Sequence, residues 1–103
     1  MNYIEERTYL PEGMSLDDPS RHSFQAIVQY RGGGMWAVVG QREAHEQFSR
    51  AGKWLFSPLK MTQMRWCRYD TFEEACIAAE KACELRTVMG QTYPELEEWR
   101  RTR

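Results

Sequence analysis

Four small groups of residues in this chain are of types that do chemistry in other settings. The first is Gly32-Gly33-Gly34 behind Arg31, in the stretch "YRGGGMWAVVG" (30–40). A phosphate cradle needs backbone amides converging at a helix N-terminus, and a dinucleotide fingerprint needs Gly-x-Gly-x-x-Gly opening a helix. Counted from Gly32 the third glycine position is Ala37, and counted from Gly34 the next is Trp36. Met-Trp-Ala-Val-Val then reads as a strand, so the run predicts a hairpin tip with Arg31 at its edge.

The second group is His45 with Glu43 and Glu46. His22 and His45 each lack a second His or Cys at ligand spacing, so a solvated polar face is expected, with no metal and no cofactor. The third is Cys67, between Trp66 and Arg68 with Arg65 nearby, the one cysteine whose neighbours could favour a thiolate. The fourth is basic and aromatic: Trp36, Trp54, Trp66 and Tyr69 interleaved with Arg31, Lys53, Lys60, Arg65 and Arg68. Such a set can stack bases and hold phosphates, and the same residue types are enriched at protein interfaces.

Composition bounds these readings. The chain has 103 residues, 42 % hydrophobic and 13 % aromatic, which suits a single globular core. No apolar run approaches the roughly 18–20 residues that span a bilayer, and "MNYIEERTYLPEG" shows no secretory signal, so a soluble protein without membrane attachment is expected. Cys67, Cys76 and Cys83 are odd in number and follow no metal pattern; reduced thiols and a cytoplasmic setting are expected. Net charge is −1, but residues 1–20 carry −4, residues 21–69 carry +6 and residues 70–103 carry −3. A basic middle between acidic ends is the clearest asymmetry in the sequence.

The elements that must position these groups follow from periodicity. Residues 1–22 read as an arm or edge segment, with Ile4, Thr8 and Leu10 on one side of a weak alternation, ahead of a single domain over 23–103. "SFQAIVQY" (23–30) alternates as a strand and "MWAVVG" (35–40) as its partner. Ala44, Phe48 and Ala51 at i, i+4 and i+7 predict a short helix stopped by Gly52, with a long hairpin excursion as the rival reading. "KWLFSP" (53–58) and "QMRWCRYD" (63–70) read as strands. Thr71-Phe72-Glu73-Glu74 is a capping-box pattern. It opens a helix whose stripe is Phe72, Ala75, Cys76, Ala79, Ala82 and Cys83, with Arg86 snorkelling at the far end and Gly90 as the stop. Pro94 starts a last helix anchored by Leu96 and Trp99, with Glu97 paired to Arg101.

The fold class is therefore α+β: a small antiparallel sheet of four or five strands, one long helix on one face, and short additional helices. If Phe24, Ala26, Val28, Met64 and Trp66 face the long helix, the opposite face shows Gln25, Ile27, Gln29, Trp36, Val38, Arg65, Cys67 and Tyr69. The leading functional reading is a non-enzymatic binding protein acting on a protein partner as adaptor or inhibitor. Its binding residues would be Arg31, Trp36, Lys60, Arg65, Arg68 and Tyr69. Small size, absent catalytic motifs and segregated charge are also features of phage and mobile-element accessory proteins. The alternative is single-stranded nucleic-acid binding through the basic, aromatic sheet face. Acidic ends on a basic body also suit a homodimer. An enzyme using Cys67 or His45 is the third reading.

Overall fold

The computed structural model describes residues 6–41 and 45–102. Ile4, Glu43 and Ala44 lie outside them. Five strands form one antiparallel sheet in sequence order: β1 (Arg7–Tyr9), β2 (Ala26–Gly32), β3 (Met35–Val39), β4 (Glu46–Phe48) and β5 (Trp54–Phe56). One turn of helix, α1 (Arg21–Phe24), precedes β2, so the strand begins at Ala26 rather than at Ser23. Three helices follow the sheet: α2 (Met61–Trp66), α3 (Phe72–Leu85) and α4 (Tyr93–Arg101). The shortest extent of the molecule is 20 Å, the thickness of two layers, a sheet and one helix layer.

Alternation in β2 and β3 decides which residues face α3. Ala26 and Val28 pack with Val38, Phe48 and Tyr69 against Ala75, Ala79, Ala82 and Cys83 of the helix. The small side chains of α3 let the helix lie close to the strands, as its stripe predicts. Trp36 and Tyr69 belong to this inner side, where Trp36 packs on the Phe72 ring at 4.9 Å between centroids. Their expected place on the opposite face, and that of Val38, is thus corrected. The outer face carries Ile27, Ala37 and Val39, all buried, with buried Gln25, Gln29 and Gln47.

The β2–β3 hairpin turns through Gly33 and Gly34, at φ 61° and 77°, a conformation glycine adopts without a Cβ penalty. The Tyr30 hydroxyl accepts from the Gly34 amide at 2.8 Å. The run at 32–34 is a hairpin tip, as read from the sequence.

The middle of the chain departs from expectation twice. Residues 46–48 form β4 and not part of a helix. Phe48 pairs with Trp54 and Gln47 with Leu55, and Gly52 (φ 85°) shapes the turn between them. Burying Phe48 against α3 outweighs a helical period carried mainly by two alanines. Residues 61–66 form α2 and not a strand. Met, Gln and Arg are good helix formers, and the Gln63 side chain accepts from the Lys60 amide at the helix entrance, at 2.9 Å. Only the tail of that segment joins the sheet, where Tyr69 bridges Trp36 in both directions (2.9 and 2.8 Å). Just before it, the Arg50 amide donates to the Trp66 carbonyl at 2.7 Å. Residues 66–69 therefore wedge between the start of β3 and the end of β4, which pair with each other only at Val39 and Gln47.

Thr71 caps α3 by accepting from the Glu74 amide at 3.1 Å, as its pattern predicts. The helix ends at Leu85, not at Gly90, because Arg86 turns inward (ψ 143°). Met89 (φ 52°) and Gly90 (φ 83°) instead make a tight turn closed by Val88 and Gln91. In α4 the buried anchor is Tyr93, edge-on to Phe24 at 5.6 Å, a contact worth about 0.5–1.5 kcal/mol beyond burial. Trp99 is half exposed, and Glu97 pairs with Arg100 (2.9 Å) in place of Arg101.

Arg86 does not snorkel. It is 7 % exposed and reaches across the sheet. Its Nη1 donates to the carbonyls of His22, Gln25 and Gly40 at 3.2, 2.8 and 3.5 Å, and its Nη2 to the Glu46 carboxylate. The guanidinium also sits 5.1 Å from the centre of the Trp54 ring. One side chain thus ties α1, the end of β3, β4 and β5 to the end of α3.

Candidate functional site

The residues that could act on a partner gather around the segment from β5 to the wedge. From Gln47 to Tyr69 the chain carries Arg50, Lys53, Lys60, Arg65 and Arg68 and no acidic residue. β5 is the edge strand of the sheet on this side. Helix α2, which follows it, buries none of its residues. Met61 is 77 % exposed, Trp66 55 % and Phe56, at the end of β5, 65 %. Met64 is exposed one turn from Met61.

The six residues singled out from sequence divide between surface and core. Arg31, Lys60 and Arg65 are exposed. Arg68 is half-buried on the outer face, where its Nη1 donates to Gln47 Oε1 at 2.8 Å. Trp36 is half-buried under α3, against Phe72 and Tyr30. Tyr69 is buried and donates its hydroxyl to the Phe48 carbonyl at 2.9 Å. Arg31 and Arg68 lie on the outer face and the two aromatics on the inner one, while Lys60 and Arg65 belong to α2 and its entrance, so no flat stacking platform forms from them. Met61, Met64 and Phe56 escaped notice in sequence because methionine and phenylalanine read as core; the methionines are exposed because α2 is a helix off the sheet, and Phe56 because it ends the edge strand.

No family model, curated protein or solved structure matches this chain.

Cys67, two residues before Tyr69, is fully buried. Burial pushes its thiol upward, with Arg68 opposing only in part. A reactive cysteine needs the reverse, access and a depressed value. Burial also pushes the Cys83 thiol up, to about 11 from 9.0, with Glu84 adding to it. Tyr69 moves up for the same main reason. His45 is exposed, and its carbonyl accepts from the Ser57 amide at 2.8 Å. Among the described residues, no cluster of three or more His, Cys, Asp or Glu is placed to hold a metal ion. No described helix is long and apolar enough to cross a membrane.

The buried thiols have a measurable consequence. The folded state holds these protons more tightly than the unfolded chain, so stability declines as pH rises from about 9 toward about 11. The urea midpoint should be lower at pH 10 than at pH 8. At neutral pH a thiol reagent should label the half-buried Cys76 before Cys67 and Cys83, which should react fully only once the chain unfolds. Preferred labelling of Cys67 in the folded protein would contradict its burial.

Proposed function

We propose that this chain is a non-enzymatic binding protein that takes a protein partner on the surface formed by β5 and α2. The observation that carries this reading is a helix with no buried residue, which exposes Met61 and Met64 one turn apart and Trp66 at its last position, and which follows the exposed Phe56. Exposed apolar side chains scattered singly are ordinary, whereas four within eleven residues of an acid-free stretch support an interaction surface. Methionine adapts to differently shaped partners, and tryptophan is enriched among residues that dominate interface energies. Arg50, Lys53, Lys60 and Arg65, from the same acid-free stretch of the chain, favour a partner with an acidic surface, chiefly by speeding and orienting the encounter. An adaptor or inhibitor role, and the small accessory proteins of phages and mobile elements, fit a chain of this size. A cytoplasmic setting fits its free thiols.

The test is co-purification from host lysate with mass identification, run in parallel for the wild type and the Met61→Ser/Trp66→Ser double variant. A protein that elutes with the wild type should be lost from the variant, while the circular dichroism of the two chains stays the same. Nothing eluting with the wild type, or equal recovery with both chains, would overturn the reading. Light scattering on the same eluate distinguishes a second copy of the chain from a different partner.

Single-stranded nucleic acid is the second reading, favoured by the acid-free basic run and by exposed Trp66 next to Arg65. It predicts quenching of tryptophan fluorescence by short oligonucleotides that weakens steeply with salt.

A further inference from the structure

The two arginines of the outer face differ from Arg86 in one respect. Arg86 is neutralised within the fold by Glu46. Arg31 and Arg68 have no such partner: none of their hydrogen bonds or ion pairs among the described residues goes to a carboxylate. Each is held instead by a buried glutamine, Arg31 Nη1 by Gln29 Oε1 at 3.4 Å and Arg68 Nη1 by Gln47 Oε1 at 2.8 Å. Arg68 also approaches its neighbour's carbonyl, that of Cys67, at 3.4 Å. Glu6 Oε2 accepts from the far end of the Gln29 amide at 3.0 Å, which fixes the way that amide points.

Sheet register brings the pair onto one side. Gln29 pairs with Ala37 across β2 and β3, and the Trp36–Tyr69 bridge sets Arg68 alongside Ala37 on the other flank. Ala37 is the shortest side chain of that row, which gives the long chains beside it room. The adjacent hairpin glycines leave open space where side chains would stand. Burial, and then the charge of Arg31, lower the pKa of Arg68, so the two guanidinium groups lie within each other's field. The Glu6 carboxylate reaches Arg31 only through the Gln29 amide, and two like charges brought together, one of them half-buried and neither bonded directly to an acid among the described residues, favour an anion from outside.

We propose that Arg31 and Arg68, oriented by Gln29 and Gln47, form a clamp for a phosphate monoester on the outer face of the sheet. Guanidinium groups match phosphate oxygens in paired N–H···O geometry. A monoester carries about −1.5 to −2 at neutral pH, which balances two arginines, whereas a carboxylate or a phosphodiester carries one charge. The clamp stands independently of the apolar surface on α2, and a bound phosphate could be free or carried on a phosphorylated side chain.

The test is a titration of the whole chain with inorganic phosphate and with O-phosphoserine, followed by the guanidinium N–H resonances of the arginines. Arg31 and Arg68 signals should shift saturably, with Arg65 unmoved. Arg31→Gln, on an exposed hairpin and therefore no threat to folding, should weaken binding about tenfold or more. Arg65→Gln, with the same change in net charge, should leave binding unaltered. Binding of phosphoserine but not of inorganic phosphate would assign the clamp to a phosphorylated side chain. Equal weakening by Arg31→Gln and Arg65→Gln, no saturable shift, or tighter binding of oligothymidylate than of either monoester would overturn the proposal.

Discussion

Arg86→Met is expected to cost about 3–5 kcal/mol, the range for breaking one side of a buried ion pair, and so to take most of the stability of a domain this size. Methionine replaces much of the arginine's volume but none of its donors. The Glu46 carboxylate then loses its cation, and the carbonyls of His22, Gln25 and Gly40 lose a shared donor in a region that water reaches poorly. Gln25 Nε2 still donates to the Gly40 carbonyl at 3.3 Å, so that oxygen keeps one partner. Urea denaturation followed by circular dichroism measures the loss. Gly40→Ala attacks the same junction from the other side, since a Cβ there would stand 2.9 Å from Glu46 Oε2 and 3.0 Å from Arg86 Cζ. It should destabilise even though the backbone tolerates alanine. A loss below about 1 kcal/mol for Arg86→Met would mean that water replaces the guanidinium, and the junction would not be the anchor described.

Phe48→Ala should have an effect of similar size, about 3–5 kcal/mol, from lost burial and the cavity left behind. Phe48 is 2 % exposed and its ring lies 5.3 Å from that of Trp54. β4 has three residues, and Val39–Gln47 is its one strand pair with β3. Its attachment therefore rests heavily on this side chain. The urea midpoint should fall, and amide exchange should speed up in β4 and β5 more than in β2 and β3. Uniform exchange across the sheet would show that β4 and β5 are not separable from the rest.

How far the sequence foretold this arrangement depended on how local each signal was. The hairpin at Gly33-Gly34, the alternation of Ala26 and Val28, the Thr71 cap and the alanine stripe of α3 all act within a few residues, and each gave the element observed. Gly52 and Gly90 were correctly marked as sites of reversal but assigned to helix ends. A glycine at positive φ serves a strand turn equally well, and the choice was made by the burial of Phe48 and Arg86. Arg86 illustrates the limit best: at a helix end an arginine usually points to water. Its four acceptors come from three separate stretches of the chain that only the finished fold assembles. The candidate site was legible in part for the same reason. Arg31, Lys60, Arg65 and Arg68 were found from charge alone, while the side on which Trp36 and Tyr69 lie depended on a strand that turned out to be a helix followed by a single bridge.

The wedge formed by residues 66–69 also makes the sheet discontinuous in time. The hairpins β2–β3 and β4–β5 close over short distances along the chain, but the seam between them needs a segment that first travels out through α2 and back, a longer loop to order. That seam is also the mooring of α2, whose last residue accepts from Arg50 just before Tyr69 joins Trp36. Whatever draws on α2 from outside must work against the same backbone bonds that complete the sheet. The grip of a partner and the cohesion of the fold are then linked quantities: each shifts the other by the same free energy.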